Sequence, residues 1–259
     1  MLIENTGAVR TLRLNRPDML NAFNDELLAA LGKQAKAAAK DEAVRCLVIT
    51  GAGRAFCSGQ DLDSVKQRME DPKAAELGEH LRTLYNPLID TLRTMEKPVV
   101  AGVNGVAAGA GCSLALACDL RVAAESASFI EVFINVGLVP DSGSTFTLPR
   151  LVGMGRAMEM AFTGRKVSAA EALQWGLVNQ VVPDAELESA TMKLAGKLAS
   201  LPTRGIGLTK RAFNRAWTAD LADQLAYEAM LQTTAGQTKD HLEGVKAFLE
   251  KRRPEFNGR

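Results

Sequence analysis

The chain has 259 residues, 31 Lys+Arg against 30 Asp+Glu for a net charge of +1, and 47% hydrophobic residues. That length suits one large domain, or a domain with a small appendix, and is ample to bury a core. The even charge leaves neither a basic stripe for nucleic acid nor an acidic tail, and no apolar run reaches the ~18 residues of a membrane span.

In chain order, Leu2 to Leu14 alternates around Asn5-Thr6-Gly7 and predicts a hairpin of two strands, with no signal peptide ahead of it. Asn15-Arg16-Pro17 breaks the pattern. Asn24 or Asp25 then caps a helix whose apolar stripe is Leu27, Leu28, Leu31, Ala35 and Ala38. Cys46 to Thr50 is a short continuous apolar run, as in a buried strand. Gly51 to Gly59 reads as a Gly-rich loop, and Asp61 to Met95 as polar and mainly helical. Pro98 to Val103 is a second buried strand. Ala110 to Cys118 is apolar on every side, which marks a core helix, and Leu120 to Ala124 is another strand. Strand, helix, strand, helix, strand, with hairpin-like pieces between, makes an α/β chain that winds in repeated turns.

The character changes after about residue 150. Ser168-Ala169-Ala170-Glu171 is a capping box and Gly176 ends its helix. A strand follows at Leu177 to Val182. Ala185 to Arg253 is almost all helical, with breaks at Pro202 and near Gly236. We divide the chain into a core over 1–195 and a helical region over 196–259.

The four cysteines, Cys46, Cys57, Cys112 and Cys118, lie in apolar or Gly-rich runs without Cys-x-x-Cys spacing, so reduced, buried thiols of a cytoplasmic protein are expected. The two histidines, His80 and His241, both fall on polar helical stretches, which argues against a His-based zinc site or a Ser-His-Asp triad. Two segments remain as candidates for chemistry. Ala107 to Ser113 opens a buried helix, and Ala55 to Asp61 follows a strand; free backbone amides at either could hold an oxyanion. Their glycines would equally serve tight turns and close packing. Gly137 to Thr145 carries one carboxylate, Asp141, between Pro140 and a small-residue turn. Asp141 reads equally as a helix cap, which lowers its pKa, or as a base raised by burial among Ile134, Val136, Leu138 and Val139.

The chain resembles the enoyl-CoA hydratase/isomerase (crotonase) superfamily from end to end. The resemblance is carried by Leu14-Asn15-Arg16-Pro17 with Leu20-Asn21-Ala22, by Ala55 to Leu62, Lys97 to Gly111, Cys118-Asp119 and Gly137 to Thr145, and by Ala247 to Arg252. It implies a spiral of ββα turns with a C-terminal helical region that builds trimers, often paired into hexamers. It implies an acyl-CoA substrate, with coenzyme A arriving as part of that substrate and no metal or redox cofactor. The oxyanion donors would be the backbone N–H groups of Gln60 and Ala110. Ala22, Arg54, Ala55, Cys57, Ser58, Gly59, Asp61, Leu62 and Gly111 would lie along the CoA thioester, Phe133 and Leu138 beside the acyl group. Phe248 and Lys251 match positions that reach the CoA of a neighbouring subunit.

The departures narrow the reaction. The two glutamates with which hydratases of the family activate water would align with Ser113 and Phe133. Glu131 could substitute, although a solvated glutamate is the expectation we favour. Asp141 matches the nucleophile of aromatic acyl-CoA dehalogenases, whose histidine and tryptophan partners would fall on Asn86 and Phe133. It also matches the acid/base of ring-1,2-epoxyphenylacetyl-CoA isomerases of phenylacetate breakdown, which Phe129 to Arg150 resembles most. The alternatives are a Δ3,Δ2-enoyl-CoA isomerase or a hydratase of fatty-acid oxidation and, in another class, a non-catalytic binder of acyl-CoA or RNA.

Overall fold

The computed structural model describes residues 1–61, 66 and 77–258. The hairpin is β1 (Leu2–Thr6) and β2 (Val9–Leu14), paired antiparallel. α1 (Asp25–Lys40) is capped by Asn24, whose side chain accepts the Leu27 N–H at 2.9 Å, and it buries the expected stripe. β3 (Cys46–Gly51), β5 (Val99–Val103) and β7 (Leu120–Ala124) are fully or largely buried and pair in parallel beside β2. With β10 (Gln180–Val182) they complete a six-stranded sheet ordered β1-β2-β3-β5-β7-β10.

The pieces between these strands are not hairpins. β4 (Ala55–Cys57), β6 (Val106–Ala108) and β8 (Ser128–Ile130) each follow a strand of the large sheet but join a second sheet, closed by β9 (Val167–Ser168). The Gly-rich loop therefore contains a strand. Each turn of the chain is one strand in each sheet followed by a helix, which is the expected spiral. Two side-chain amides, Asn21 buried and Asn104 partly buried, hold the crossings. Asn21 Nδ2 donates to the Ala52 and Ala55 carbonyls, and Asn104 Nδ2 to those of Gly53 and Ala55.

The next helices are α2 (Leu77–His80), running through a π-helical turn at Leu81–Tyr85 into α3 (Asn86–Thr94), and then α4 (Ala110–Ala117), buried all round as expected. A 3-10 turn at Val132–Val136 leads to α5 (Ser144–Val152) and α6 (Met154–Thr163). α7 (Ala169–Gln174) starts at the expected cap, with Ser168 Oγ accepting the Glu171 N–H. The boundary drawn at 195/196 falls inside α8 (Leu187–Ser200), which packs on β3, β5 and β7. The change from core to tail comes instead at Leu201-Pro202. Beyond it lie α9 (Thr203–Ala216), α10 (Leu221–Gly236) and α11 (Lys239–Leu249). α9 is pinned to the core by the buried Lys210, whose Nζ reaches Asp119 Oδ2 at 2.8 Å and the Leu92 carbonyl at 2.6 Å. All four cysteines are free and buried. Among the described residues, no helix is long and apolar enough to cross a membrane.

Candidate active site

Two backbone segments meet at the start of α4. A Cβ built on Gly59 would lie 2.9 Å from the Ala108 carbonyl oxygen and 3.7 Å from the Ala110 nitrogen. Gln60, the next residue, forms a parallel bridge with Phe23. Its bonds run from Phe23 N–H to Gly59 O at 2.7 Å and from Asp61 N–H to Phe23 O at 2.9 Å. In parallel pairing of this kind the middle residue's own N–H faces away from the partner, so that of Gln60 is turned off the bridge. Ala110 opens α4, and the first bond of the helix is Ser113 N–H to Gly109 O at 2.9 Å. Ala110 N–H therefore has no intrahelical partner and sits at the positive end of the helix dipole. Two such donors side by side can stabilise an oxyanion. Gly111 makes the approach possible: a Cβ there would come within 2.2 Å of the Cys57 carbonyl oxygen, so only glycine lets α4 rest on β4.

Asp141 lies in the turn before α5. The helix is capped by Gly143 without a side-chain bond, so the capping alternative does not apply. Asp141 Oδ1 accepts the Ser142 hydroxyl at 2.8 Å. Burial raises the Asp141 pKa, and the Ser142 hydroxyl and the charge of His80 offset that only in part. The burial does not come from the expected neighbours. Ile134, Val136, Leu138 and Val139 are all exposed, Val139 at 77%. They form an apolar surface beside the carboxylate rather than core, while Phe133 is buried and its ring tip would lie 3.9 Å from a Cβ on Gly109.

His80 and Tyr85 lie on the Gln60 side of the site. Its Nε2 lies 3.0 Å from Asp25 Oδ1, and its ring meets Tyr85 edge-on at 5.5 Å. The Tyr85 hydroxyl donates to Gln60 Oε1. Contacts thus run from His80 through Tyr85 to the residue that carries one oxyanion amide, and the His80 charge bears on Asp141. Among the described residues, Gln60 Nε2 is buried without a hydrogen-bond partner. The sequence reading missed His80 and Tyr85. They are five residues apart, a spacing that does not share a face of an α-helix; the π-helical turn between them brings the rings together.

The expectation of a solvated Glu131 is overturned. Glu131 is 0% exposed, and its Oε1 accepts the Ser144 hydroxyl at 2.7 Å. Burial, first, and the Asp141 charge push its pKa up to about 7, while hydrogen bonds from Ser144 and the Cys112 thiol work the other way. The only sequence signal was the apolar frame Phe129-Ile130-Glu131-Val132-Phe133, and it is a weak one, because glutamate is seldom fully buried.

The remaining expected residues separate by exposure. Ala22, Ala55, Cys57 and Gly111 are buried, so only their backbone can face a ligand. The Cys57 thiol is pushed up to about 12 by burial. Asp61 is spent on Arg16, at 2.7 Å. Ser58 and Arg54 are reachable from solvent. Leu62 lies outside the described residues. Phe248, 82% exposed, and Lys251 project from the end of α11, away from these groups in sequence and in fold. The hydratase positions hold Ser113, whose hydroxyl bonds back to Gly109 O at 3.3 Å, and the buried Phe133. Among the described residues, no group of three or more His, Cys, Asp or Glu side chains could hold a metal ion.

Residues 4–259 match the Enoyl-CoA hydratase/isomerase family. The chain is 48% identical over 253 residues to the 1,2-epoxyphenylacetyl-CoA isomerase of Escherichia coli (strain K12), covering 97% of this chain and 95% of that protein. It is 44% identical over 261 residues to a protein of Rhodobacter capsulatus named "Probable enoyl-CoA hydratase", covering 99% and 97%. The crystal structure of an enoyl-CoA hydratase from Bacillus anthracis superposes with a TM-score of 0.92 at 36% identity, covering 100% of this chain and 99% of that one.

Proposed function

Because the chain belongs to the enoyl-CoA hydratase/isomerase family, we propose that this enzyme is an acyl-CoA isomerase that works with one carboxylate, Asp141, and an oxyanion site at the amides of Gln60 and Ala110. The observation that carries the reading is the pair of carboxyls. Asp141 is half-buried with a raised pKa beside an exposed apolar surface, whereas Glu131 is sealed and cannot meet a substrate water. A hydratase needs a second carboxyl at the water; an isomerase needs only one that takes a proton and returns it.

In this mechanism the thioester carbonyl lies between the two amides. Asp141 removes a proton from the carbon beside the carbonyl, and the electron pair moves onto the oxygen as an enolate. Removing one donor of such a site typically costs ~2.7–4 kcal/mol of transition-state stabilisation. The enolate then collapses as its electron pair forms a double bond to the ring and a C–O bond of the epoxide breaks, with the ring expanding and Asp141 returning its proton to a ring carbon, or it takes the proton from Asp141 at the far end of an allylic system. Either route conserves all atoms and asks for no resident cofactor beyond the CoA of the substrate. The 48% identity to the Escherichia coli 1,2-epoxyphenylacetyl-CoA isomerase supports ring-1,2-epoxyphenylacetyl-CoA as the substrate and its oxepin isomer as the product.

The same family membership supports a homotrimer, or a dimer of trimers, built through the C-terminal helices. Leu242, Val245, Phe248 and Leu249 leave one apolar face of α11 exposed, and there Phe248 and Lys251 would reach a neighbour's CoA.

The test follows conversion of ring-1,2-epoxyphenylacetyl-CoA by mass-resolved chromatography, for wild type and Asp141→Asn. Conversion that is lost in the variant, with CoA-thioester binding kept, is the expected result. No conversion by wild type, with turnover of a 3-enoyl-CoA, would transfer the reading to Δ3,Δ2-enoyl-CoA isomerisation. Full activity of Asp141→Asn would sink it.

A further inference from the structure

We infer that Glu131 is a positioning residue for Asp141: from inside the core it holds the Ser144 hydroxyl, and through Ser144 it fixes the turn that aims the Asp141 carboxylate. The inference rests on the reading of Asp141 as acid/base.

The turn needs holding. It passes through two successive left-handed residues, Ser142 at φ 51° and Gly143 at φ 78°. The first carries a side chain that this region disfavours. Two bonds at Ser144 close the turn. Its backbone N–H donates to the Asp141 carbonyl at 2.9 Å, and its hydroxyl donates to Glu131 Oε1 at 2.7 Å. Ser144 and Glu131 are each 0% exposed, so no water competes for this pair. Asp141 and Glu131 thus flank one serine, one carboxyl facing the site and the other facing the core.

Among the described residues, no cation is paired with Glu131. The groups that bear on it are the Ser144 hydroxyl of α5, the Cys112 thiol of α4 and the Asp141 carboxylate. The Arg121 guanidinium of β7 bears on Cys112 and is itself held by the Leu177 and Cys118 carbonyls, each at 2.6 Å. Oε2 of Glu131 finds no hydrogen-bond partner among the described residues. An apolar residue would fill this place with less desolvation cost, so the retained carboxyl is explained by the serine it holds. The pair also couples electrically: the Asp141 charge raises the Glu131 carboxyl, and ionisation of Glu131 adds a second negative charge near it.

The test measures exchange of the α-protons of phenylacetyl-CoA with D2O by mass spectrometry, alongside steady-state isomerisation of a 3-enoyl-CoA, for wild type, Glu131→Gln, Glu131→Ala, Ser144→Ala and Asp141→Asn. Glu131→Ala and Ser144→Ala are expected to lower exchange and kcat by about 10²-fold, the scale of an ~1 Å misplacement, with KM little changed. Glu131→Gln keeps an acceptor for Ser144 and is expected to restore most of the rate. Wild-type rates are expected to rise through an inflection near pH 7 that Glu131→Gln lacks. Should Glu131→Ala fail to fold, Ser144→Ala carries the same test with the carboxyl left in place. Wild-type exchange in Ser144→Ala or Glu131→Ala, with exchange lost in Asp141→Asn, would overturn the positioning role and leave the Asp141 reading standing. Exchange that survives Asp141→Asn would instead overturn the Asp141 reading itself.

Discussion

The Glu131→Gln substitution should change how stability depends on pH, and the size follows from burial. The Glu131 pKa moves from 4.5 to about 7 on folding. The folded state therefore binds this proton more tightly than the unfolded state, and stability is lost as pH rises. The sign is that of a raised group: its contribution is fully present below pH 4.5 and gone above pH 7. At one proton and 1.36 kcal/mol per unit, the wild type should lose about 2–3 kcal/mol between pH 5 and pH 8 that the glutamine variant does not lose. Glutamine is close in shape and can still accept the Ser144 hydroxyl. The double difference, variant against wild type at pH 8 less the same at pH 5, cancels every other titrating group. Urea unfolding at fixed protein concentration measures it, and the variant should gain on the wild type toward pH 8. An equal stability difference at both pH values would mean that Glu131 is solvated or paired and would refute the argument.

Three further outcomes follow. Lys210→Met should destabilise the chain by about 3 kcal/mol, at the low end for a broken buried pair, because Asp119 keeps the Val99 N–H at 2.9 Å and some solvent; urea midpoints check it. Gly111→Ala must move α4 off β4, since its Cβ would meet backbone at 2.2 Å; isomerase activity should fall about 10²-fold or more even where circular dichroism shows a folded chain. Cys46, Cys57 and Cys118, each pushed to about 12 by burial, and Cys112, also well above its ordinary value, should resist iodoacetamide at pH 8 in the native protein and react on unfolding. Fast alkylation of the native chain would show that the core opens around β3, β4 or α4.

The parts of the fold with simple periodicity were legible. The α1 stripe, the three buried strands, the all-apolar α4 and the Ser168 cap each announce themselves through local pattern. β4, β6 and β8 did not, because a three-residue strand has no period to read and their pairing is between turns of the spiral. At the site, Gln60, Ala110 and Asp141 were proposed through resemblance together with amide and carboxylate chemistry. Exposure was misjudged in both directions. Val136 and Val139 looked like core and are exposed, whereas Glu131 looked like surface and is sealed. Hydrophobicity reports the average fate of a residue type, and a binding surface departs from that average. His80 was read only as a residue of a polar helical stretch, outside any zinc site or triad; its neighbours Asp25 and Tyr85 come from α1 and from the far side of a π-helical turn.

The two carboxyls also explain why one can react while the other cannot. Both are raised by burial, and they differ in access and in partners. Asp141 is half-buried, accepts one hydroxyl and feels His80. Glu131 has the deeper place, pairs with no cation among the described residues, and is pushed by burial to a pKa of about 7. Environments that push two carboxyls apart in this way commonly divide labour between them. On the proposed reading, the division is between a group that moves the proton and a group that holds the turn. Exchanging their exposures would place the second carboxyl at the substrate, where it could activate water, and leave nothing to fix Ser144. On the proposed reading, the burial of Glu131 joins Ser113 and Phe133, which stand where hydratases of the family would carry glutamates, in favouring isomerisation over hydration.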